Sequence, residues 1–316
     1  MTGRLRAAPQ LALPALRLPL TGALLCAAFG TSSALGATCG PFGITLPQQI
    51  RALTDLERQL GCQFQSVRWY QDWNTAYNAA YARDVARGRR ALEISWQPQV
   101  RVNGNLRGIP FREIAAGKHD AVARQLARDI RRARRPVTIT FAPEMNGNWS
   151  VYQLNTKNTA SDFRAAWKHL HALFKQERAP VRWAFVPNIL FPQTRATYRT
   201  LYPGDAFVDE VGLDGYNWGT TNPWNRWKSF DDTFSRSYKE LAAVTRKPMQ
   251  LGEVGSVERG GNKAAWIGNM CRALPRYPRL VRLFWFHLNV DGVDWRVNTS
   301  DAALKAFRTC AQSFRR

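Results

Sequence analysis

The sequence predicts a single (β/α)8 barrel, a TIM barrel of the α/β class, on three observations. Short runs rich in β-branched and aromatic residues recur eight times. Helical patterns lie between most of them, and no Pro/Ser-rich linker or internal repeat divides the chain after residue 37. Strands alternating with helices mean βαβ units and a parallel sheet. Eight such units use about 250 residues, most of what a 316-residue chain supplies.

The elements follow in order. PFGITLP at 41–47 precedes the helical QQIRALTDLERQL, and SVRWYQDW at 66–73 precedes TAYNAAYARDVARG at 75–88. RALEISWQP begins at Arg90, with AVARQLARDIRRARR at 121–135 after it. VTITFAPEM at 137–145 leads to SDFRAAWKHLHALFKQ, and VRWAFVPN at 181–188 leads to only a short helix. VDEVGLDGY at 208–216, PMQLGEVGS at 248–256 and LVRLFWFHL at 280–288 complete the strands. Their helices are FDDTFSRSYKELAAV, NKAAWIGNMCRAL and AALKAFRTCAQSF. Several runs are almost continuously apolar, as parallel strands covered on both faces should be.

Residues 1–37 carry Arg4, Arg6 and Arg17 and no acid, then an apolar run from Leu18 to Phe29, then small residues ending at Ala37. That order is a secretory leader with its cleavage site, which predicts a mature domain at 38–316 in the periplasm or outside the cell. Three prolines (Pro9, Pro14 and Pro19) argue against a core helix there. No stable membrane insertion is expected after cleavage. Without the leader's three arginines the formal charge falls from +22 to about +19.

Cleavage also removes Cys26 and leaves Cys39, Cys62, Cys271 and Cys310. An even number in an exported chain predicts two disulfides. Four cysteines allow three pairings, of which Cys39–Cys62 with Cys271–Cys310 is favoured, each tying down one end of the domain. The cysteine spacing fits no zinc pattern. His169 and His171 lie two apart on a helix and point in different directions, so no metal and no cofactor is expected. The arginines between Arg124 and Arg135 read as a solvated helix face, and no nucleic-acid motif accompanies them.

Functional side chains of such a barrel come from the C-terminal ends of its strands. Two ends carry an acid in a polar, glycine-rich setting: Phe141-Ala-Pro-Glu144-Met-Asn-Gly-Asn-Trp149 and Leu251-Gly-Glu253-Val-Gly-Ser256. Paired carboxylates suit glycoside hydrolysis, one protonating the leaving oxygen and the other attacking the anomeric carbon. Trp69, Trp73, Trp96, Trp149, Tyr216, Trp218, Trp224 and Trp285 fall near strand ends or the loops after them. Flat aromatic rings offer a surface to the C–H faces of sugars. There is no G-x-S-x-G elbow, P-loop or G-x-G-x-x-G after a strand.

PEMNGNW, VGLDGYNWG, LGEVGS, GGNKAAW and the C-terminal FWF…DWRV, in this order, resemble glycoside hydrolase family 26 across essentially the whole mature chain. The resemblance implies a retaining, β-mannanase-like (β/α)8 glycosidase acting on β-mannan or a related β-glucan or β-xylan. It implies Glu144 as general acid/base, Glu253 as nucleophile and Tyr216 as the hydroxyl that bonds the nucleophile. It also implies Trp149 and Trp285 as aromatics bounding the sugar, with Asn146 and Asn188 as hydroxyl contacts. Trp69 and Trp218 are added as cleft aromatics. One departure is Pro143, where the family usually places His before the acid/base. The substitution predicts a preferred substrate other than plain mannan.

The expected activity is therefore endo-cleavage of a β-linked polysaccharide by a double displacement between two glutamates. The strong positive charge extends the substrate classes to acidic exopolysaccharides. No obligate partner is indicated, and a monomer is expected. A non-catalytic glycan-binding barrel is the alternative. A basic nucleic-acid-binding protein is a weaker one, because it rests on charge alone.

Overall fold

The computed structural model describes residues 37–191 and 196–314. The expected leader lies outside the described residues except for Ala37. Eight parallel strands close a barrel: β1 (Phe42–Thr45), β2 (Ser66–Asp72), β3 (Ala91–Gln97), β4 (Val137–Phe141), β5 (Val181–Phe185), β6 (Glu210–Asn217), β7 (Met249–Ser256) and β8 (Leu280–Phe286). Each strand pairs with its neighbours in chain order, and β8 closes on β1 through Phe42↔Leu283 to Thr45↔Phe286. The helices are α1 (Ile50–Leu60), α2 (Ala79–Arg87), α3 (Asp120–Ala133), α4 (Ala160–Gln176), α5 (Tyr198–Leu201), α6 (Phe230–Ala242), α7 (Lys263–Ala273) and α8 (Asp301–Ser313).

Differences from expectation have local causes. The second helix begins at Ala79 rather than 75, because the Asn78 side chain caps it by accepting from Tyr81 N. The fourth strand ends at Phe141, where Ala142 enters the left-handed region at φ 49° and breaks the ladder. A hairpin of Gln99–Val102 and Asn105–Gly108 and a short helix, Phe111–Ala115, fill the β3–α3 connection, which had shown no pattern. Capping boxes at Thr159 and Ser229 start α4 and α6, fixing where the long loops after β4 and β6 return to the helix layer.

The main hydrophobic core lies between barrel and helices, as in Phe141, Phe163 and Trp167. The barrel interior is polar instead. Arg68, Glu93, Ser95, Thr140, Asp214 and Gln250 are all buried. Glu93 Oε1 accepts from Thr140 Oγ1 and Gln250 Nε2, each at 2.9 Å. The disulfides are Cys39–Cys62 and Cys271–Cys310, the favoured pairing. No helix among the described residues is long and apolar enough to cross a membrane.

Candidate active site

Alternation along β2 decides which of its residues reach the site. Arg68 and Tyr70 lie two apart and share the inner face, while Trp69 between them faces the helices. The Tyr70 hydroxyl donates to Glu253 Oε1, and from β6 the Tyr216 hydroxyl donates to Glu253 Oε2. Arg68, with no exposed surface, places Nη2 3.7 Å from Glu253 Oε1, Nη1 3.6 Å from Asp214 and Nε 3.8 Å from Glu93. Burial alone would lower the Arg68 pKa, but the charges of Asp214, Glu253 and Glu93 outweigh it and hold the guanidinium charged. Burial and the Glu253 charge raise both phenols well above their ordinary value, so both keep the proton they donate.

Glu253 reaches the mouth through an irregularity in β7. Leu251 pairs with Leu213 and Glu253 pairs with Asp214, so Gly252 is an extra residue in the ladder. A bulge of this kind re-aims the following side chain. Gly252 faces inward as well, and only the lack of a side chain permits it. A Cβ there would sit 2.4 Å from Arg68 Nη1 and 2.5 Å from Asp214 Oδ1.

Glu144 follows β4 in a constrained turn. Ala142 and Glu144 both have positive φ, at 49° and 53°, on either side of the buried Pro143. Neither conformation is comfortable for a residue with a Cβ. The turn is held by Glu144 N donating to Val186 O at 3.1 Å and by Tyr152 Oη donating to Pro143 O at 3.1 Å. Asn188 Nδ2 donates to Glu144 Oε1 at 2.5 Å, and Trp149 Nε1 to Oε2 at 3.0 Å. Those two donors favour the carboxylate. Burial and the nearby charge of Glu253 outweigh them and push the Glu144 pKa up to about 7.

Glu144, Asp214 and Glu253 each bring a carboxylate oxygen within 4.8 Å of the other two. Among the described residues this is the grouping able to hold a metal ion, and the Arg68 guanidinium already supplies a cation to two of its members. Burial, then the Glu253 charge, raise the Asp214 carboxyl far above its usual range against the pull of Arg68.

The structure brings Glu144, Glu253, Tyr216, Asn188 and Trp149 together. Trp149 and Trp218 are exposed beside them. Asn146 spends both ends of its amide on the Asn188 main chain, at 2.8 and 2.9 Å, and thus props Asn188 rather than facing the cleft. Trp69 and Trp285 do not line the cleft either. Trp69 packs edge-on against Tyr81 of α2, and Trp285 packs on Trp266 and Phe307 with its Nε1 donating to Trp295 O. Strand parity turns both away from the barrel axis. Trp73 and Trp96 stack on each other in the core. Arg68, Tyr70, Asp214 and Trp295 were missed. The lone basic residue in SVRWYQDW and the Tyr two positions on were the available signal.

A parallel eight-stranded barrel with its polar site at the C-terminal ends of β4, β6 and β7 defines the broad class of (β/α)8 proteins that work from that face. The chain belongs to Glycosyl hydrolase family 26, which it matches over residues 65–261. "Endoglucanase H" of Acetivibrio thermocellus is 32% identical over 282 residues, covering 86% of this chain. The chain spans about 30% of the length of that relative. A modular endo-beta-1,4-mannanase from Cellulomonas fimi has a similar structure, with TM-score 0.67 and 18% identity over 87% of this chain and 70% of that one. A GH26 beta-mannanase from Bacteroides ovatus gives TM-score 0.64 and 14% identity over 88% of this chain and 89% of that one. At such identities the structural likeness shows the fold.

Proposed function

We propose that this chain is a retaining, endo-acting glycoside hydrolase that cleaves a β-linked polysaccharide. Glu144 is its general acid/base and Glu253 its nucleophile. The observation that carries the reading is the opposition of these two carboxylates, within 4.8 Å of each other and differently held. A retaining pair lies about 5–5.5 Å apart, whereas an inverting pair leaves room for a water. Glu253 is gripped by two phenol hydroxyls and a guanidinium, donors suited to a carboxylate. Glu144, raised to about 7, starts the cycle protonated at mildly acidic pH.

In the first step Glu144 gives its proton to the departing glycosidic oxygen while a Glu253 oxygen attacks the anomeric carbon, forming a glycosyl ester. Glu144, now a carboxylate, takes a proton from water as the water attacks the same carbon. The Glu253–sugar bond breaks, and the anomeric configuration is restored. Asn188 and Trp149 orient Glu144 throughout, and Trp149 and Trp218 offer ring faces to the sugars.

The substrate classes supported are a β-1,4-mannan-like polymer, a related β-glucan or an acidic exopolysaccharide. The names of the relatives point to the first two, and the charge of the chain to the third. Residues 1–37 act as an export leader, and 38–316 form the working domain, with two disulfides fitting an oxidising compartment.

The test incubates residues 38–316 with β-mannans, β-glucans, xylans and acidic exopolysaccharides, beside Glu144→Gln and Glu253→Gln. New reducing ends and the anomeric form of the first product are followed. The expected outcome is cleavage of one polymer with retained configuration, slowed at least about a thousandfold in Glu253→Gln. Unimpaired cleavage by that variant would sink the assignment, and binding without cleavage would favour a non-catalytic barrel.

A further inference from the structure

The loop after β6 ends in an indole that the fold does not use. Trp224 is 77% exposed, against 39% for Trp218 on the same loop, and no ring packs on it among the described residues. An indole carries a large apolar face, and leaving it in water forgoes what its burial would contribute. Its neighbourhood is built. Arg226 Nη1 donates to the carbonyls of Pro223 and Asn225, the residues on either side of Trp224, which ties the guanidinium to the backbone that carries the indole. The loop after β7 is stapled alongside, with Thr220 N donating to Arg259 O at 3.2 Å and Trp227 covering Gly261.

The charges here are one-sided. Residues 218–229 contain no acid. Glu258 in the adjoining loop accepts from Thr299 and Ser300, and Asp294 in the loop after β8 is bound by Arg296 at 2.6 Å. Among the described residues neither Arg226 nor Arg259 pairs with a carboxylate. The start of the same loop reaches the site: Tyr216, bonded to Glu253, packs at 4.7 Å on Trp295, and Trp295 packs at 4.8 Å on Trp218.

We propose that Trp224, Arg226 and Arg259 form a distal subsite for a uronic acid unit of a β-linked glycan, several sugars outward from the scissile bond. The sugar ring stacks on the indole, and its carboxylate is met by the two guanidiniums, whose planar donor pairs match a carboxylate edge. The proposal rests on the glycosidase reading and narrows its substrate to an acidic polymer.

Two oligosaccharides test it, β-1,4-hexamannuronate and β-1,4-mannohexaose, which share linkage and stereochemistry and differ only in oxidation at C6. Binding is measured by calorimetry at low and high salt in the full chain carrying Glu253→Gln. Hexamannuronate should bind about tenfold more tightly at low salt, and less so at high salt. Adding Arg226→Gln and Arg259→Gln should equalise the two hexamers. Trp224→Ala should weaken both by about tenfold and leave the binding of trimannuronate, too short to reach, unchanged. Equal or absent binding of the hexamers overturns the proposal, as does a preference that survives loss of both arginines or an equal effect of Trp224→Ala on the trimer. Unimpaired cleavage of either hexamer by the Glu253→Gln protein would instead sink the assignment of Glu253 as nucleophile, because the binding comparison does not depend on turnover.

Discussion

Glu144 illustrates how a side chain can be tuned against its own hydrogen bonds. Asn188 and Trp149 both donate to it, yet burial and the Glu253 charge prevail and lift it to about 7. If it delivers the proton, kcat/KM should fall as pH rises through about 7, and Glu253→Gln should move the Glu144 titration only part of the way back, since burial is the larger cause. The same shift has a stability consequence of definite sign. The folded-state value lies above the unfolded value near 4.5, so between the two the folded protein binds more protons. The associated stability is fully present below pH 4.5 and lost as pH rises through 7. Glu144→Gln should therefore be more stable than wild type at pH 8, by up to about 3 kcal/mol, with the gap closing at pH 4. Thermal unfolding at the two pH values checks it; an equal gap at both would show that the proton is not the cause.

At the scale of elements, the bulge in β7 turns a barrel strand toward the candidate site. Gly252 and Glu253 both face inward, and Gly252 leaves space for the Arg68–Asp214 pair. In Gly252→Ala the new methyl must displace a guanidinium and a carboxylate that are fully buried. The expected result is a fall in kcat of about a hundredfold and a loss of roughly 1–3 kcal/mol of stability. Steady-state kinetics and urea unfolding measure both, and wild-type kcat would show that the site does not depend on this spacing. The eight strands were legible because parallel strands covered on two faces are written as apolar runs. The two glutamates were legible because an acid followed by glycines at a strand end has no packing use. The bulge was not, because an extra residue in a ladder leaves no local trace beyond a glycine. Trp69 and Trp285 were misplaced for a related reason: position near a strand end does not say which face a residue takes. Parity does, once Arg68 and Tyr70 are known to point inward.

For the whole molecule, the decisive contact is the seam where the first strand meets the last. β1 pairs with β8, and Phe42 packs on Phe307 of α8 with ring centroids 4.8 Å apart. Nothing local brings these ends together, so closure carries the entropy cost of ordering the entire chain between them. Both disulfides flank this seam. Cys39–Cys62 ties the approach to β1 to the residue after the α1 cap, and Cys271–Cys310 ties α7 to α8. They close loops of 23 and 39 residues, for which chain entropy gives a stabilisation of about 3–4 kcal/mol each, the longer loop exceeding the shorter by only about half a kcal/mol. Replacing either pair by serine should lower the urea midpoint by similar amounts, and replacing both should lower it by nearly the sum, because the bonds share no residues. The two carboxylates proposed to act, on β7 and the loop after β4, touch neither bond, so the proposed cleavage activity should persist in each variant at temperatures where it stays folded. A midpoint unmoved by both replacements would mean that strand pairing and the Phe42–Phe307 contact hold the seam without covalent help.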